Sequence, residues 1–469
     1  MRLLFEKHII SFFFLLFAIS FRLHAQSLIS IGSTQVRVDT LITGLDVPWE
    51  TTYHNGSLWV TERKGIVSRI DTATGNKKVI LRLTGQVIQQ SESGLLGMAL
   101  HPDFANVPEV FLAYTYSSGG FIRERIVKYR YENDSLLNPV ILLNELPGNG
   151  THNGCRLHFL SDTTLLASTG DVQNLTFPQD TSALSGKVLR MKTDGSPPAD
   201  NPFPGSLVYS LGHRNVQGMA TLPDGKIVLS EHGASTDDEV QLLWPGRNYG
   251  WPNVEGFCST PTEISFCGTK QVVEPLKAYT PTIAPSDLAF YENPNFPEWN
   301  NRLLITILKN KQLRAIRLNE TFDSVLTDIA YLSNRYGRLR DIAIGANKEI
   351  YLATNGASWA NTDPNTHSII RLRPIPQITS SKSLPGRQAL MKLIPNPAAN
   401  CVRISLTAEN GRSGELQIFG PAGNLVYRCS TDGTDQILET SRIGKPGLYL
   451  VRFRNASGSL SICEKLLLQ

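Results

Sequence analysis

Pro223-Asp224-Gly225, followed at once by Lys226-Ile227-Val228-Leu229-Ser230, is the stretch that decides the fold of this chain. Asp-Gly supplies the positive φ angles of a tight turn, and the β-branched run behind it suits a strand. The pattern recurs. His54-Asn55-Gly56 precedes Ser57-Leu58-Trp59-Val60-Thr61, and Asn347-Lys348 precedes Glu349-Ile350-Tyr351-Leu352-Ala353-Thr354. Three further strands look related: Glu109 to Tyr114, Thr164 to Ser168, and Arg302 to Ile307.

Working outward, about six such units follow one another at roughly 45–75 residues, a period close to that of propeller blades with inserted loops. One four-stranded blade cannot bury both of its faces, so blades stack around an axis and function collects in loops at one end of the channel. Long helical patterns are scarce, and the main body is too long for a two-sheet sandwich. The expectation is an all-β protein, a six-bladed β-propeller over residues 35–374. Residues 375–388 read as a linker rich in Pro, Ser and Thr. After it, Cys401 to Leu406, Glu415 to Phe419, Asn424 to Arg428 and Leu448 to Phe453 alternate apolar and polar residues. Residues 389–469 are therefore expected to form a small C-terminal β-sandwich.

The 469 residues carry a formal net charge of only +4, which gives no case for nucleic acid or an anionic membrane surface. Arg2 and Lys7 precede an apolar run from Ile9 to Phe21, and Ala25 offers a small residue for cleavage, so residues 1–25 read as an export signal. The run is short for a membrane span, and no later segment is long and apolar enough for one. Export permits disulfides. Cys258 and Cys267 flank one loop and could close it, two of Cys401, Cys429 and Cys463 could pair, and Cys155 stands alone. No cysteine pair has zinc-knuckle spacing.

Four segments set polar groups beside glycines in loop positions. Thr151-His152-Asn153-Gly154-Cys155-Arg156 holds a histidine able to accept a proton near neutrality, or merely to cap a turn. Leu211-Gly212-His213-Arg214-Asn215 holds an arginine that could face an anion or a developing oxyanion, or bond backbone carbonyls. Ser230 to Glu239 is a loop with exposed carbonyls and acids, the oxygen ligands calcium favours, although its spacing is not an EF-hand. Lys309, Arg335, Arg338 and Arg340 supply cations that would attract a polyanionic ligand if they converge, and otherwise form a solvated basic face.

Taken together with Gly94-Leu95-Leu96-Gly97-Met98-Ala99-Leu100-His101-Pro102-Asp103-Phe104, Gly246-Arg247-Asn248-Tyr249-Gly250-Trp251-Pro252 and Pro281-Thr282-Ile283-Ala284-Pro285-Ser286, these segments resemble the soluble quinoprotein glucose and aldose sugar dehydrogenase family from about Leu45 to Arg373. The resemblance implies pyrroloquinoline quinone and calcium as cofactors, an aldose as substrate, a lactone as product, and a further electron acceptor. It implies that His152 is the base at the sugar's anomeric hydroxyl. Arg214 would lie over a quinone carbonyl, with Asn215 beside the cofactor. Lys309, Arg338 and Arg340 would hold its carboxylates, and the carbonyls of Gly233 and Ala234 would bind calcium. Glu92 stands where glucose-specific members have Gln, as in the aldose branch. Cys155 replaces a usual Gly that can adopt positive φ, Ala234 replaces a common Pro, and Val172 sits where a polar residue is frequent.

The C-terminal segment resembles the type A sorting domain of the type IX secretion system, through Ile394-Pro395-Asn396-Pro397, Ile418 to Val426 and Gly447-Leu448-Tyr449-Leu450-Val451. That implies the type IX machinery as a partner and delivery through the periplasm to the outer surface or the medium. Two other readings compete: a binding propeller that has lost the redox reaction, and a calcium-dependent propeller lactonase. Neither requires His152, Arg214, Lys309, Arg338 and Arg340 together.

Overall fold

The computed structural model describes residues 27–356, 367–375, 391–406, 413–421, 423–432, 435–456 and 461–469. The expected export signal and nearly all of the expected linker lie outside them. The chain divides into two compact units, Met1–Pro376 and Gln377–Gln469.

The first unit holds six antiparallel sheets among its described residues, five of them running up and down in chain order. Their inner strands are Pro48–His54, Leu95–Leu100, Gly154–Phe159, Val216–Thr221, Pro285–Tyr291 and Leu339–Ile344. Each inner strand touches those of the sheets before and after it, and Leu339–Ile344 returns to Pro48–His54, so the six close a ring. The sixth sheet is completed from the other end of the chain, because Thr34–Ile42 pairs with Ile369–Pro374 and Ser27–Ile31 pairs with Thr34–Ile42.

The six strands singled out in the sequence are the second strands of these six sheets: Ser57–Glu62, Glu109–Ser118, Leu165–Thr169, Ile227–Glu231, Arg302–Ile307 and Ile350–Thr354. A second strand is paired on both edges and covered on both faces, so it reads as an almost unbroken apolar run. Between the first two sheets, for example, Trp59, Val67, Met98, Leu112 and Val127 form one buried cluster.

All six inner strands carry a register shift near their start, between Pro48 and Thr51, Leu95 and Met98, Gly154 and Leu157, Val216 and Gly218, Pro285 and Leu288, and Leu339 and Asp341. A bulge adds a residue, bends the strand and re-aims a side chain. Glu50, Gly97, Arg156, Gln217, Asp287 and Arg340 fall within these shifts. The repeated bulge is the device that brings charge to the middle of the ring.

The helix Pro261–Lys270 interrupts the strands. It carries a capping box in which Thr260 accepts from the Glu263 N–H while the Glu263 carboxylate accepts from the Thr260 N–H, with Pro261 at its start. The Thr-x-x-Glu signature was legible in the sequence. Cys258 and Cys267 are disulfide-bonded across the start of this helix, with Cα atoms 6.5 Å apart.

The second unit holds a three-stranded sheet, Met391–Ile394, Cys401–Leu406 and Gln436–Glu439, and a four-stranded sheet, Leu425–Thr431, Gly414–Phe419, Gly447–Asn455 and Ser461–Leu468. Val402, Ile404, Leu416, Ile418, Val451, Phe453 and Leu466 fill its core. Cys401, Cys429 and Cys463 are free thiols, so the disulfide that two of them could have made is absent.

Candidate functional site

The bulges gather a buried charge cluster in the ring. The Arg156 guanidinium bonds Glu50 and Asp341 through Nη1, the latter at 3.0 Å, and lies 3.6 Å from Asp287 through Nη2. Its Nε donates to the Gln217 carbonyl at 2.7 Å. Burial pushes Glu50 up to about 8 against the pull of Arg156, and it raises Asp287 and Asp341 as well. Arg156 stays protonated, because three carboxyls outweigh the desolvation of its own charge.

A cavity of about 170 Å³ is lined by Trp49, Glu92, Asn153, His232, Arg338 and Arg340, among others. Arg340 is 5% exposed, yet its hydrogen-bond partners are all neutral. Nε donates to Asn355 Oδ1 at 3.2 Å, and Nη1 donates to Gln217 Oε1 at 2.9 Å and Ser286 Oγ at 3.2 Å. The guanidinium also sits over the Trp49 ring. Burial, with Arg338 adding repulsion, pulls Arg340 down to about 9, and burial lowers Arg338 too. Neither arginine has a carboxylate ion-pair partner among the described residues. Glu92 in the same cavity partly offsets the half-buried Arg338 and the buried Arg340, and two guanidiniums against one carboxylate leave positive charge that suits an anion.

His152 is fixed nearby. Its Nδ1 lies 2.8 Å from Asp171 Oδ1, and its backbone N–H donates to Glu92 Oε2 at 3.1 Å. Burial works against the charge of Asp171, but hydrogen bonds from His152, the Gln173 N–H and the Trp251 indole hold its carboxyl below the usual range. An ionised Asp171 is acceptor-only, so Nδ1 carries the proton and a neutral imidazole keeps its lone pair on Nε2. The side chain is 17% exposed, and Nε2 makes no hydrogen bond among the described residues. The arrangement can therefore accept a proton from a bound hydroxyl.

Arg214 lies over the Trp251 ring and donates from Nη1 to the His232 carbonyl at 3.2 Å. Glu231 fixes this segment by accepting the N–H groups of Arg214 and Asn215, His213 Nδ1 and Gln241 Nε2. The Asn215 Oδ1 accepts the Gly154 N–H at 3.1 Å and so ties this segment to the His152 loop. A second, smaller cavity of about 20 Å³ is lined by Arg214, His232, Gly233, Asp237 and Glu239, and shares His232 with the first.

Glu231 and Asp238 are not surface acids of an open loop, as their sequence position suggested. Both are buried. Asp238 accepts the N–H groups of Gly233, Ile283 and Ala284 at 2.8, 2.6 and 2.6 Å. A Cβ on Gly233 would come within 2.0 Å of the Thr236 carbonyl oxygen, so the turn is tight. Among the described residues no hydrogen bond reaches the carbonyl oxygens of Gly233 and Ala234, and no group of three or more His, Cys, Asp or Glu side chains is placed to hold a metal. A cation here would rely on backbone carbonyls and ligand oxygens, donors that suit calcium.

The structure thus brings Glu92, Arg338 and Arg340 together around one cavity, and Arg214 and Gly233 around the other. Lys309 is exposed, with Nζ donating to Thr282 Oγ1 at 2.6 Å, and does not line either cavity. Cys155 adopts the positive φ that a glycine would take, at 67°, and Val172 is buried with its N–H on the His152 carbonyl. Sequence reasoning missed Asp171 and Gln217 as parts of the site, although Gly170-Asp171 is a local signal; Glu231, Asp238 and Trp251 lay in segments it singled out, but without the roles the structure gives them.

Fold and site together define an all-β ring protein that sets a buried and a half-buried arginine around one cavity beside a histidine–carboxylate pair. Comparison with known proteins gives the family. Residues 45–360 match the glucose/sorbosone dehydrogenase model, and the chain belongs to that family. Residues 392–469 match a secretion system C-terminal sorting domain. The aldose sugar dehydrogenase of Escherichia coli is 30% identical over 69% of this chain and 91% of its own length. Quinoprotein glucose dehydrogenase B of Acinetobacter calcoaceticus is 29% identical over 68% of this chain and 86% of its own. The PQQ-bound aldose sugar dehydrogenase of Streptomyces coelicolor is similar in structure, with a TM-score of 0.63 and 31% identity, over 75% of this chain and 99% of that one.

Proposed function

We propose that this protein is an exported sugar dehydrogenase that oxidises aldoses at C1 to lactones, with pyrroloquinoline quinone and calcium as cofactors. The six-sheet ring is read as a six-bladed propeller, with 35–374 as the catalytic domain. The observation that carries the reading is the pair Arg338 and Arg340, desolvated and without carboxylate partners, in a cavity next to the His152–Asp171 pair.

Arg338 and Arg340 would hold the carboxylates of the quinone, with Asn215 beside it and Lys309 at the edge of the site. The Gly233 and Ala234 carbonyls would hold calcium. When bound, the quinone supplies a hydride acceptor and calcium polarises its carbonyl. Asp171 orients the imidazole, His152 Nε2 takes the proton of the sugar's C1 hydroxyl, and Arg214 offers N–H groups to developing negative charge. Glu92, whose carboxylate accepts the His152 N–H, would be part of the cofactor-binding set. The electrons then pass to a separate acceptor. Residues 389–469 would act as the address read by the type IX secretion machinery, after an export signal in residues 1–25 has brought the chain to the periplasm.

The test is reconstitution of the purified protein with calcium and the quinone, followed by assay of aldoses with a dye acceptor. His152→Gln is expected to lower kcat by roughly 10²–10⁴ while quinone binding persists. Asp171→Asn is expected to lower kcat by about 10² or more, because the ring loses the partner that fixes its tautomer. If the His152 variant reduces bound quinone in a single turnover as fast as wild type, the catalytic assignment fails.

A further inference from the structure

Four of the six seams between sheets carry a hydroxyl latch, and the seam behind the His152 loop lacks it, as does the sixth sheet, where Ala353 holds the equivalent position. In the first sheet Thr61 Oγ1 accepts the Glu50 N–H at the bulge and donates to the Leu96 carbonyl of the next inner strand at 2.6 Å. In the third, Ser168 Oγ accepts the Arg156 N–H and donates to the Val216 carbonyl at 3.1 Å. Ser230 donates to the Ser286 carbonyl, and Thr306 accepts the Asp287 N–H and donates to the Arg340 carbonyl. In the second sheet the residue facing the bulge is Ala113, which has no hydroxyl. Its counterpart carbonyl, that of Cys155, packs against Gly97 instead, 1.9 Å from where a Cβ would stand.

A small cavity of about 10 Å³ lies at this seam, lined by Ala113, Glu124, Cys155 and Ser168. Glu124 is 3% exposed, shares this cavity with the Cys155 side chain, and leaves Oε1 without a partner. Three of the four positions from 152 to 155 have left-handed φ: His152 at 58°, Gly154 at 65° and Cys155 at 67°. Glycine adopts such angles freely, whereas cysteine must be held there. The loop is also wedged from outside, because a Cβ on Gly170 would meet the His152 carbonyl oxygen at 1.7 Å.

We propose that Glu124 and Cys155 form a buried positioning pair that replaces the missing latch and holds the backbone carrying His152. The carboxyl reaches across the seam and fixes the thiol, which fixes residue 155, and the rigid run from 155 back to 152 sets the imidazole on Asp171. Burial raises both groups, so each keeps its proton at neutral pH and the pair carries no net charge. A neutral amide should therefore substitute for the carboxyl, and glycine should substitute for the tethered cysteine.

The proposal rests on His152 as the base for its kinetic readout only. The second readout is the proton resonance of His152 Nδ1 in the cofactor-free protein, which reports the bond to Asp171 whether or not sugar is oxidised. Glu124→Gln and Cys155→Ser are expected to stay within about threefold of wild-type kcat and to keep the resonance. Glu124→Leu and Cys155→Ala are expected to lose roughly 10-fold or more in kcat, shift or broaden the resonance, and bind the quinone normally. Adding Cys155→Gly to Glu124→Leu should restore both readouts. Should Glu124→Leu fail to fold, Cys155→Ala against Cys155→Ser and Cys155→Gly makes the same comparison. Unchanged kcat and resonance in Cys155→Ala, or no restoration by Cys155→Gly, overturns the pair. A Glu124-dependent resonance in a protein that oxidises no aldose would keep the pair and reject the enzymatic reading.

Discussion

Two arginines rise from bulges in the same ring, and their surroundings are opposite. Arg156 meets Glu50, Asp287 and Asp341. Arg340 meets Asn355, Gln217, Ser286 and the face of Trp49. Both are almost fully buried. Gln217 links them, since its carbonyl accepts from Arg156 and its side-chain oxygen accepts from Arg340. The first arginine is matched by carboxyls at contact distance, and the second has neutral hydrogen-bond partners with Glu92 as the carboxylate that acts on it across the cavity. A buried cation matched by carboxylates belongs to the core, whereas one hydrogen-bonded only to dipoles is held ready for an anion.

The largest effect should come from breaking the matched set. Arg156→Met strands up to three buried carboxyls and is expected to cost about 3–5 kcal/mol of stability, read as a fall in the urea midpoint. Arg340→Met should do the reverse in the cofactor-free protein, leaving stability within about 1 kcal/mol of wild type, because no charge loses its partner. Its cost should appear in quinone affinity, at roughly 2–4 kcal/mol by titration. If both variants lose stability equally, the contrast between the two arginines is wrong.

A smaller effect sharpens the comparison through pH. Glu50 has its folded value raised by burial to about 8 from an ordinary 4.5. The folded state therefore holds a proton that the unfolded chain releases, and the associated stability is complete below about pH 4.5 and lost as pH rises through about 8. Wild type should lose stability relative to Glu50→Gln across that window, and parallel stability curves would show that Glu50 does not titrate there. The smallest effect is expected from removing residues 377–469. The first unit has its own core and should keep its thermal midpoint within about 2 °C.

Much of the fold was legible because second strands announce themselves. Ser57–Glu62 and Leu165–Thr169 are buried at every position, and the turns before them carry Asn-Gly or similar signals. Inner strands are quieter. Their bulges put Glu50, Arg156 and Asp287 in mid-strand, where polar residues suggest a loop. The site was legible where chemistry lies in one segment, as around His152. It was not legible where a group acts across the ring: nothing local shows that Glu231 clamps the Arg214 segment, or that Arg340 lacks the carboxylates that Arg156 has. Cys155 did stand out in the sequence, but its partner Glu124 lies 31 positions earlier, in another sheet.

The way the sixth sheet is completed has a consequence for how the molecule is made. Thr34–Ile42 joins the ring only through Ile369–Pro374, more than 320 residues later in synthesis. Contacts of such sequence separation are entropically late, and a ring that depends on one cannot close before its last strand, Ile369–Pro374, has been made. The first five sheets can each zip from local hairpins, whereas the seal forms last and joins the two ends of the ring. Time spent before sealing is time with an unpaired edge strand, open to pairing with other chains. The edge of Ile369–Pro374 is therefore open until Thr34–Ile42 docks on it, and a chain trimmed of residues 34–42 would leave that edge without its partner strand.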